Sequence, residues 1–539
     1  MSNLDVLFIG SVMNYDGTTG SLANYIRHNG KWIAPFQYIY DKRKSLFTSE
    51  ADACVYDIPN LTICELVDYL KHQDELNYHI IWHFDYHKEK IIEILKNSPP
   101  TIIAISSTLA FFPQYLKQCV NWLNAHKPHD SKIVIGGKYI FSNFVQSGAT
   151  SKLDKILFDV NADYFIINRY GQQTLHQLLL ALRDKDQSKA QTLPNIAYRK
   201  IDVVDEKLID SKNCMFKGKY YYINYIIEET NIQKNQTIDF SFINNEFMKD
   251  IVHVRTTSSC PFHCRFCTFP ALAGQYIMFE IEDVIKQLLQ LKKMGVKYLF
   301  FIDDTFNVPL KRFEQLLDRM IESNLDIEWV SFFRPQFATP DIVKKMSEAG
   351  CRMVFCGIES GNDAILQNMN KRVTVKQFED GFTYLDRAGI TIAASYFIGY
   401  PGETYKTAMD TMNLINDPRI AFSRGSIFYY DPSAPVGSLA EEYKLTGNGA
   451  DWRHATMNST EAAEIHLEIV DKIKSVNVQI SDGAGWSVFH LYSRGISFDD
   501  LKELYTEFNR IQKNQIQAAG NRALSQYRVF NRHGKTYQS

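Results

Sequence analysis

Long apolar runs are absent from this 539-residue sequence: none reaches the ~18 residues that would span a bilayer. Its first strand-like run, Val6–Ile9, is short and lacks the basic flank of a signal peptide, so a cytoplasmic chain away from membranes is expected. An excess of charge is missing too. Lys+Arg number 59 against 61 Asp+Glu, a net charge of −2, and that balance excludes holding nucleic acid by bulk electrostatics. Cysteine is scarce, at nine residues with three of them inside one eight-residue stretch, which argues against a disulfide framework and for reduced thiols. There is no internal repeat, no GxGxxG and no P-loop, since Gly137-Lys138 has neither the spacing nor the Ser/Thr. What remains is a globular composition, 45% hydrophobic and 13% aromatic, long enough for three or four units at ~150 residues each.

Short apolar runs at Asp5–Ile9, Ile102–Ser106, Lys132–Ile135 and Asp163–Ile167 alternate with helical patterns at Gln114–Ala125 and Gln173–Arg183. That rhythm predicts a doubly wound, Rossmann-like α/β domain over residues 1–200. Three strands run into small residues: Gly10-Ser11, Ser106-Ser107-Thr108 and Gly136-Gly137. Such carboxyl ends line the ligand crevice of an open parallel sheet, although each also reads as a plain strand terminator. Residues 201–250 are polar around Tyr220-Tyr221-Tyr222 and read as a linker. From 251 to 435 a second alternation follows, with strands at Val252–Thr256, Tyr298–Ile302, Glu328–Phe333, Met353–Ile358, Thr391–Ile398 and Gly425–Tyr430. Helical patterns fill the gaps at Ile281–Met294, Leu310–Ser323, Pro340–Ala349, Val375–Ala388 and Thr404–Ile415. Six β/α units amount to ~180 residues against the ~250 of a full barrel, so a partial (β/α)6 barrel is expected. Residues 436–539 read as mainly helical, polar and frayed from Gln512.

The chemistry concentrates in Cys260-Pro261-Phe262-His263-Cys264-Arg265-Phe266-Cys267, directly after the first barrel strand. Three thiolates at spacings of four and three can hold three corners of an iron–sulfur cube and leave one iron open to a ligand. The alternative is a closed Cys3His zinc site that recruits His263.

This CxxxCxxC with an aromatic before its last cysteine resembles the signature of the radical S-adenosylmethionine (SAM) superfamily. Further matches follow in order at Phe301-Ile302-Asp303-Asp304, Gly357-Ile358-Glu359-Ser360 and Gly399-Tyr400-Pro401-Gly402-Glu403. The N-terminal half resembles the cobalamin-binding domain often fused to that barrel, through Ile105–Thr108, Val134–Gly137 and Arg169–Gln172. The runs Cys260-Pro-Phe, Thr268-Phe-Pro, Ala273-Gly-Gln-Tyr and Ile302-Asp-Asp-Thr-Phe-Asn-Val-Pro are most similar to the P-methyltransferase group of phosphinothricin-type biosynthesis.

The resemblance implies a [4Fe–4S] cluster on Cys260, Cys264 and Cys267, whose open iron takes the amino and carboxylate groups of SAM. It implies Phe266 against the adenine, Glu359 on the ribose, Arg334 on the methionine carboxylate, and Asp303 and Ser360 near SAM. Each has a plainer reading: Glu359 as a strand-end carboxylate, Arg334 as the partner of a barrel carboxylate. Cobalamin would lie along Gly10, Ser106, Ser107, Thr108, Gly136 and Gly137. The DxHxxG run that ligates cobalt elsewhere is absent, and Asp85-Tyr86-His87 lacks its spacing and its glycine.

The expected function is therefore a cobalamin-dependent radical SAM methyltransferase of natural-product biosynthesis. It would transfer a methyl group via methylcobalamin to an unactivated carbon or a phosphinate phosphorus of a small-molecule or ribosomal-peptide substrate, with a flavodoxin- or ferredoxin-type electron donor. Two alternatives stand beside it: a radical peptide epimerase using Cys351 or Cys356 as hydrogen donor, or a non-catalytic cluster- and corrinoid-binding sensor. Tyr429, Tyr430 and Asp431, with Trp452, Arg453 and His454, are candidates for the substrate pocket, Trp452 equally for anchoring the C-terminal helices. Cys351 and Cys356 sit among apolar neighbours and read equally as inert core thiols.

Overall fold

The computed structural model describes residues 4–12, 25–110, 113–205, 209, 213–229, 237–243, 251–474, 476–477 and 486–519. The chain divides into two compact units, one of Met1–Asn14 with Tyr56–Asn244, the other of Tyr15–Val55 with Asn245–Ser539.

In the first unit the strands are β1 (Leu4–Ser11), β2 (Tyr78–His83), β3 (Pro100–Ser106), β4 (Lys132–Gly136), β5 (Tyr164–Ile166), β6 (Ile196–Arg199), β7 (Cys214–Lys217) and β8 (Tyr221–Asn224). They lie side by side in the order β2-β1-β3-β4-β5-β6-β8-β7. The first five are parallel, and β1 is buried along its whole length, as a central parallel strand must be. Because β2 and β3 flank β1 on opposite sides, the order reverses between β1 and β3, and the crevice outside their carboxyl ends is where such sheets take ligands.

Two boundaries differ from the sequence reading. Residues 214–224 are not linker but two antiparallel strands of the sheet. Buried Asp154 holds their turn by accepting from the backbone N–H groups of Lys219, Tyr220 and Tyr221, and the Tyr221 hydroxyl donates to Ala162 O at 2.6 Å. Residues 25–55 group with the second unit. Their side chains Ile26, Ile33 and Tyr38 pack with Phe508 of the helix Phe498–Ala519, and Arg27 exchanges two hydrogen bonds of 2.8 Å with Gln515.

The second unit holds the barrel strands β9 (Ile251–Val254), β12 (Tyr298–Phe301), β13 (Glu328–Phe333), β14 (Cys351–Glu359), β15 (Thr391–Ile398) and β16 (Ile420–Ile427). All run parallel in chain order, with the two-residue β17 (Val476–Asn477) beside β16. A small antiparallel pair, β10 (Thr257–Ser258) and β11 (Ile277–Met278), brackets the cysteine stretch. The helix Trp486–Ser493 lies at the amino ends of the strands: the Tyr492 hydroxyl donates to Glu328 at 2.9 Å, and the rings of Phe489 and Tyr492 pack on Tyr298. Beyond β16 the chain is mainly helical, and Phe498–Ala519 continues through a buried Gln512 to Ala519, while the rest of the stretch read as frayed lies outside the described residues.

Candidate active site

The cysteine loop is held from both sides. At its start, fully buried Asp303 accepts from the Thr256 backbone N–H at 3.1 Å, the Thr256 hydroxyl at 2.9 Å and the Thr257 hydroxyl at 2.6 Å. Arg312 donates to the carbonyls of Thr256 and Phe279. Further along, Arg265 N–H donates to Met369 O at 2.8 Å, and Asn370 donates to His263 O at 2.9 Å. The loop is thus clamped to the segment that follows β14.

Cys260, Cys264 and Cys267 line one cavity of about 350 Å³ together with Phe266, Arg334 and Glu359, and it runs from the carboxyl ends of the strands down the barrel interior to Met353, Phe422 and Trp486. Burial pushes the Cys267 thiol up to about 11 and raises that of Cys260, so the thiolates need a cation to offset desolvation. Bound iron would supply that charge. Among the described residues no three His, Cys, Asp or Glu side chains converge on a single metal ion. His263 is exposed and does not line the cavity. The exposure of His263 disfavours the closed zinc site that would recruit it.

Arg334 follows β13. Its guanidinium lies 3.5 Å from the centre of the Phe262 ring, donates to Cys264 Sγ at 3.3 Å and to Lys371 O at 3.2 Å, and its backbone exchanges two hydrogen bonds with Asn307. Glu359 ends β14 with φ +62°, and its Oε1 accepts from Lys371 Nζ at 2.8 Å, Lys371 being buried and Glu359 partly buried. Gly357 permits that reach, since a Cβ there would fall 2.5 Å from Glu359 Oε1. Lys371 therefore carries two candidate SAM contacts at once, Glu359 by its ammonium and Arg334 by its carbonyl. Its ammonium also sits 5.8 Å from the centre of the Phe266 ring.

Other expected residues lie elsewhere. Asp303 is spent on the threonines, and it is Asp304 and Thr305 that reach the cavity, with the Thr305 hydroxyl 3.4 Å from Cys260 Sγ. The Ser360 hydroxyl is fully buried against Thr411 and Asn362. Tyr429, Tyr430 and Asp431 do not line the cavity, because β16 ends at Ile427. Tyr429 is 67% exposed, Tyr430 is bonded to Gly449 through its backbone, and Asp431 caps the turn at Ser433. Trp452 is a packing residue: its Nε1 donates to Phe428 O at 2.7 Å and its ring stacks on His454. Residues that sequence reasoning missed are Lys371, Ser395, Arg424 and Trp486, all on the cavity wall. Alternation along β15 was the only signal for Ser395.

In the first unit the expected cobalamin residues stand together at the carboxyl edge. Gly137, at φ +102°, approaches Thr108 so closely that a Cβ would fall 2.9 Å from its hydroxyl. Ser107 Oγ donates to Gly136 O at 2.6 Å, Ser106 Oγ accepts from Thr108 N–H at 3.3 Å, and Gly10 O accepts from Asn60 at 3.1 Å. Ser11, at the end of β1, is buried with no hydrogen-bond partner for its hydroxyl among the described residues. An orphaned donor at the point where strand order reverses fits a polar ligand there.

Residues 254–415 match the model of the Radical SAM superfamily. A relative named an uncharacterised methyltransferase, from Pyrococcus horikoshii, is 30% identical over 208 residues, covering 38% of this chain and 44% of its own length. The chain spans about half the length of the curated relatives it matches. Among solved structures, the radical SAM methyltransferase TsrM of Kitasatospora setae, with cobalamin and a [4Fe-4S] cluster bound, aligns at TM-score 0.54 and 14% identity over 82% of this chain and 78% of its own. The cobalamin-dependent SAM radical enzyme OxsB, with aqua-cobalamin bound, aligns at TM-score 0.58 and 12% identity over 99% and 84%. The superfamily match implies a [4Fe–4S] cluster and SAM as cofactors. Residues 254–415 are a radical SAM domain, and the chain around them has the fold of the cobalamin-binding radical SAM enzymes.

Proposed function

We propose that this chain is a cobalamin-dependent radical SAM methyltransferase, moving a methyl group from SAM to an unactivated carbon or a phosphinate phosphorus of a natural product or peptide. The observation that carries the reading is one cavity lined by Cys260, Cys264, Cys267, Phe266 and Glu359. When bound, the cluster supplies the electron that splits SAM into methionine and a 5′-deoxyadenosyl radical, and cobalamin supplies a methyl carrier. Cys260, Cys264 and Cys267 would hold the cluster. Arg334 steadies the thiolate charge of Cys264 and keeps Phe262 folded over the loop. Glu359 keeps Oε2 for the ribose hydroxyls while Lys371 fixes Oε1. Phe266 offers its ring to the adenine. In the first unit, Ser11, Ser106–Thr108 and Gly136-Gly137 would take the polar tail of cobalamin, with no DxHxxG histidine for the cobalt. A flavodoxin- or ferredoxin-type protein would supply electrons.

One observation favours a second reading: Cys356 lines the cavity whereas Cys351 does not, which puts a thiol where a hydrogen-atom donor of an epimerase would stand. Methyl-labelled SAM decides between them. Anaerobic, reduced enzyme should form S-adenosylhomocysteine only when cobalamin is supplied, and 5′-deoxyadenosine as well. Formation of 5′-deoxyadenosine without S-adenosylhomocysteine in the presence of cobalamin contradicts methyl transfer.

A further inference from the structure

Arg334 is held in place by contacts that do not involve the sulfur it faces. Fully buried Asn307 clamps its backbone, donating to Arg334 O at 2.9 Å and accepting from Arg334 N–H at 3.0 Å. The guanidinium lies 3.5 Å from the centre of the Phe262 ring, which packs on Phe337 in turn, and one amino group donates to Lys371 O at 3.2 Å. With these anchors set, the other amino group donates to Cys264 Sγ at 3.3 Å. A planar fork fixed at its stem and on one face has little freedom to choose another acceptor.

The charge on this fork differs from that of its neighbour. Lys371 is paired with Glu359 at 2.8 Å, whereas among the described residues the Arg334 guanidinium meets a carbonyl, a sulfur and an aromatic face but no carboxylate. Arg334 is only 9% exposed, and a buried cation acts on nearby charge through a low effective dielectric. The cysteine sulfurs are not served alike. At Cys260 the facing hydroxyl of Thr305, 3.4 Å away, has one hydrogen, and its 2.7 Å bond to Asp304 O takes that hydrogen. Cys264 therefore has a charged side-chain donor where Cys260 has none from Thr305.

We propose that Arg334 sets the reduction potential of the cluster through Cys264: its guanidinium stabilises the extra negative charge of the reduced state and so raises the potential. Hydrogen bonds to ligand sulfurs and nearby charge are two of the levers by which a protein moves such potentials. One electron from the donor protein, or from dithionite in a test, converts [4Fe–4S]2+ to [4Fe–4S]+, with no bond made or broken and no proton moved. The Asp304 carboxylate on the same wall acts in the opposite sense. The assignment rests on the radical SAM reading and adds to it a positioning residue that works on electron entry. A higher potential eases loading of the cluster by the donor and leaves less driving force for splitting SAM.

The test uses the full chain with its cluster reconstituted and no SAM present, and follows the [4Fe–4S]+ signal by electron paramagnetic resonance through a dithionite titration. Arg334→Met should lower the one-electron equilibrium constant about tenfold or more, a midpoint about 59 mV more negative, with Arg334→Lys in between. Thr305→Val removes a hydroxyl 3.4 Å from a cysteine sulfur and should shift the midpoint by less than about a third as much. Phe262→Leu keeps the charge but frees the fork, and should move the midpoint in the same direction as Arg334→Met. If Arg334→Met takes up no iron, Arg334→Lys and Phe262→Leu decide, and an unmoved midpoint in both overturns the assignment. An unmoved midpoint in iron-loaded Arg334→Met overturns it, as does an equal shift in Thr305→Val. A loss of SAM affinity with the midpoint unmoved gives Arg334 to SAM instead and overturns it too. Wild type that takes up no iron would strike the radical SAM reading itself, whereas wild type that forms no S-adenosylhomocysteine would strike methyl transfer alone.

Discussion

The cavity of the barrel and the carboxyl edge of the first sheet are built on opposite plans. In the barrel, motifs far apart in sequence hold one another: Asp303 fixes the start of the cysteine loop, Arg334 reaches Cys264, and Lys371 ties Glu359 to Arg334. Arg334, Lys371 and Glu359 line the cavity itself, while Asp303 stays behind it. At the sheet edge, Ser106, Ser107, Thr108 and Gly136 satisfy mainly one another, and the shape of the backbone is what they offer. Chemistry at the first place thus depends on single side chains, and at the second on a glycine and close-packed turns.

Removing a cluster thiol should break this contrast most completely. Cys264→Ala is expected to lose the visible absorption of reconstituted protein and all 5′-deoxyadenosine formation, while leaving cobalamin binding in place. Zinc without iron in reconstituted wild type would contradict the cluster.

The converse change lies in the other unit. Gly137→Ala puts a Cβ into a positive-φ residue 2.9 Å from Thr108 Oγ1, and should cost about 1–3 kcal/mol, read by denaturant unfolding, together with cobalamin affinity. Iron content should not change.

A finer cut goes through Lys371. Lys371→Met leaves the partly buried Glu359 without its cation, and SAM affinity should fall about tenfold, with partial rescue in Lys371→Arg. A variant that lowers turnover without moving SAM affinity would deny Lys371 its positioning role.

Glu403 tests the strand-end loop through pH. Burial raises its carboxyl to about 7, although it accepts from the Gly399 backbone N–H. A folded-state pKa above the unfolded one means that the native state binds the extra proton, so this group lowers stability as pH climbs from about 5 towards 8, on the order of 2 kcal/mol. Glu403→Gln should flatten that part of the profile. The smallest effect is expected at Tyr429: the ring is 67% exposed, and Tyr429→Ala should leave SAM cleavage unchanged.

Much of the barrel was legible because its strands are continuous apolar runs punctuated by amphipathic helices, and β13 and β15 coincide with the runs read from sequence. The sixth strand was misplaced: Ile427–Tyr430 looks like the core of a strand, yet Tyr430 pairs with Gly449 while β16 begins earlier at Ile420. The strand β2 escaped notice because histidines interrupt Tyr78–His83, and β7 and β8 because lysines and a turn surround them. At the site, the cysteines were legible from spacing alone. Lys371 and Arg424 were not, since nothing local marks them: one acts on a carboxylate twelve residues earlier and the other depends on strand register. Asp303 was misread for a related reason, because adjacent aspartates on a strand end point opposite ways and sequence does not say which faces inward.

The account stands or falls on whether the three cysteines leave one iron open to SAM. Electron paramagnetic resonance of the anaerobically reduced, reconstituted chain, recorded with and without SAM, reads this directly. A [4Fe–4S]+ signal that shifts when SAM is added is the expected result, and a signal indifferent to SAM would contradict it.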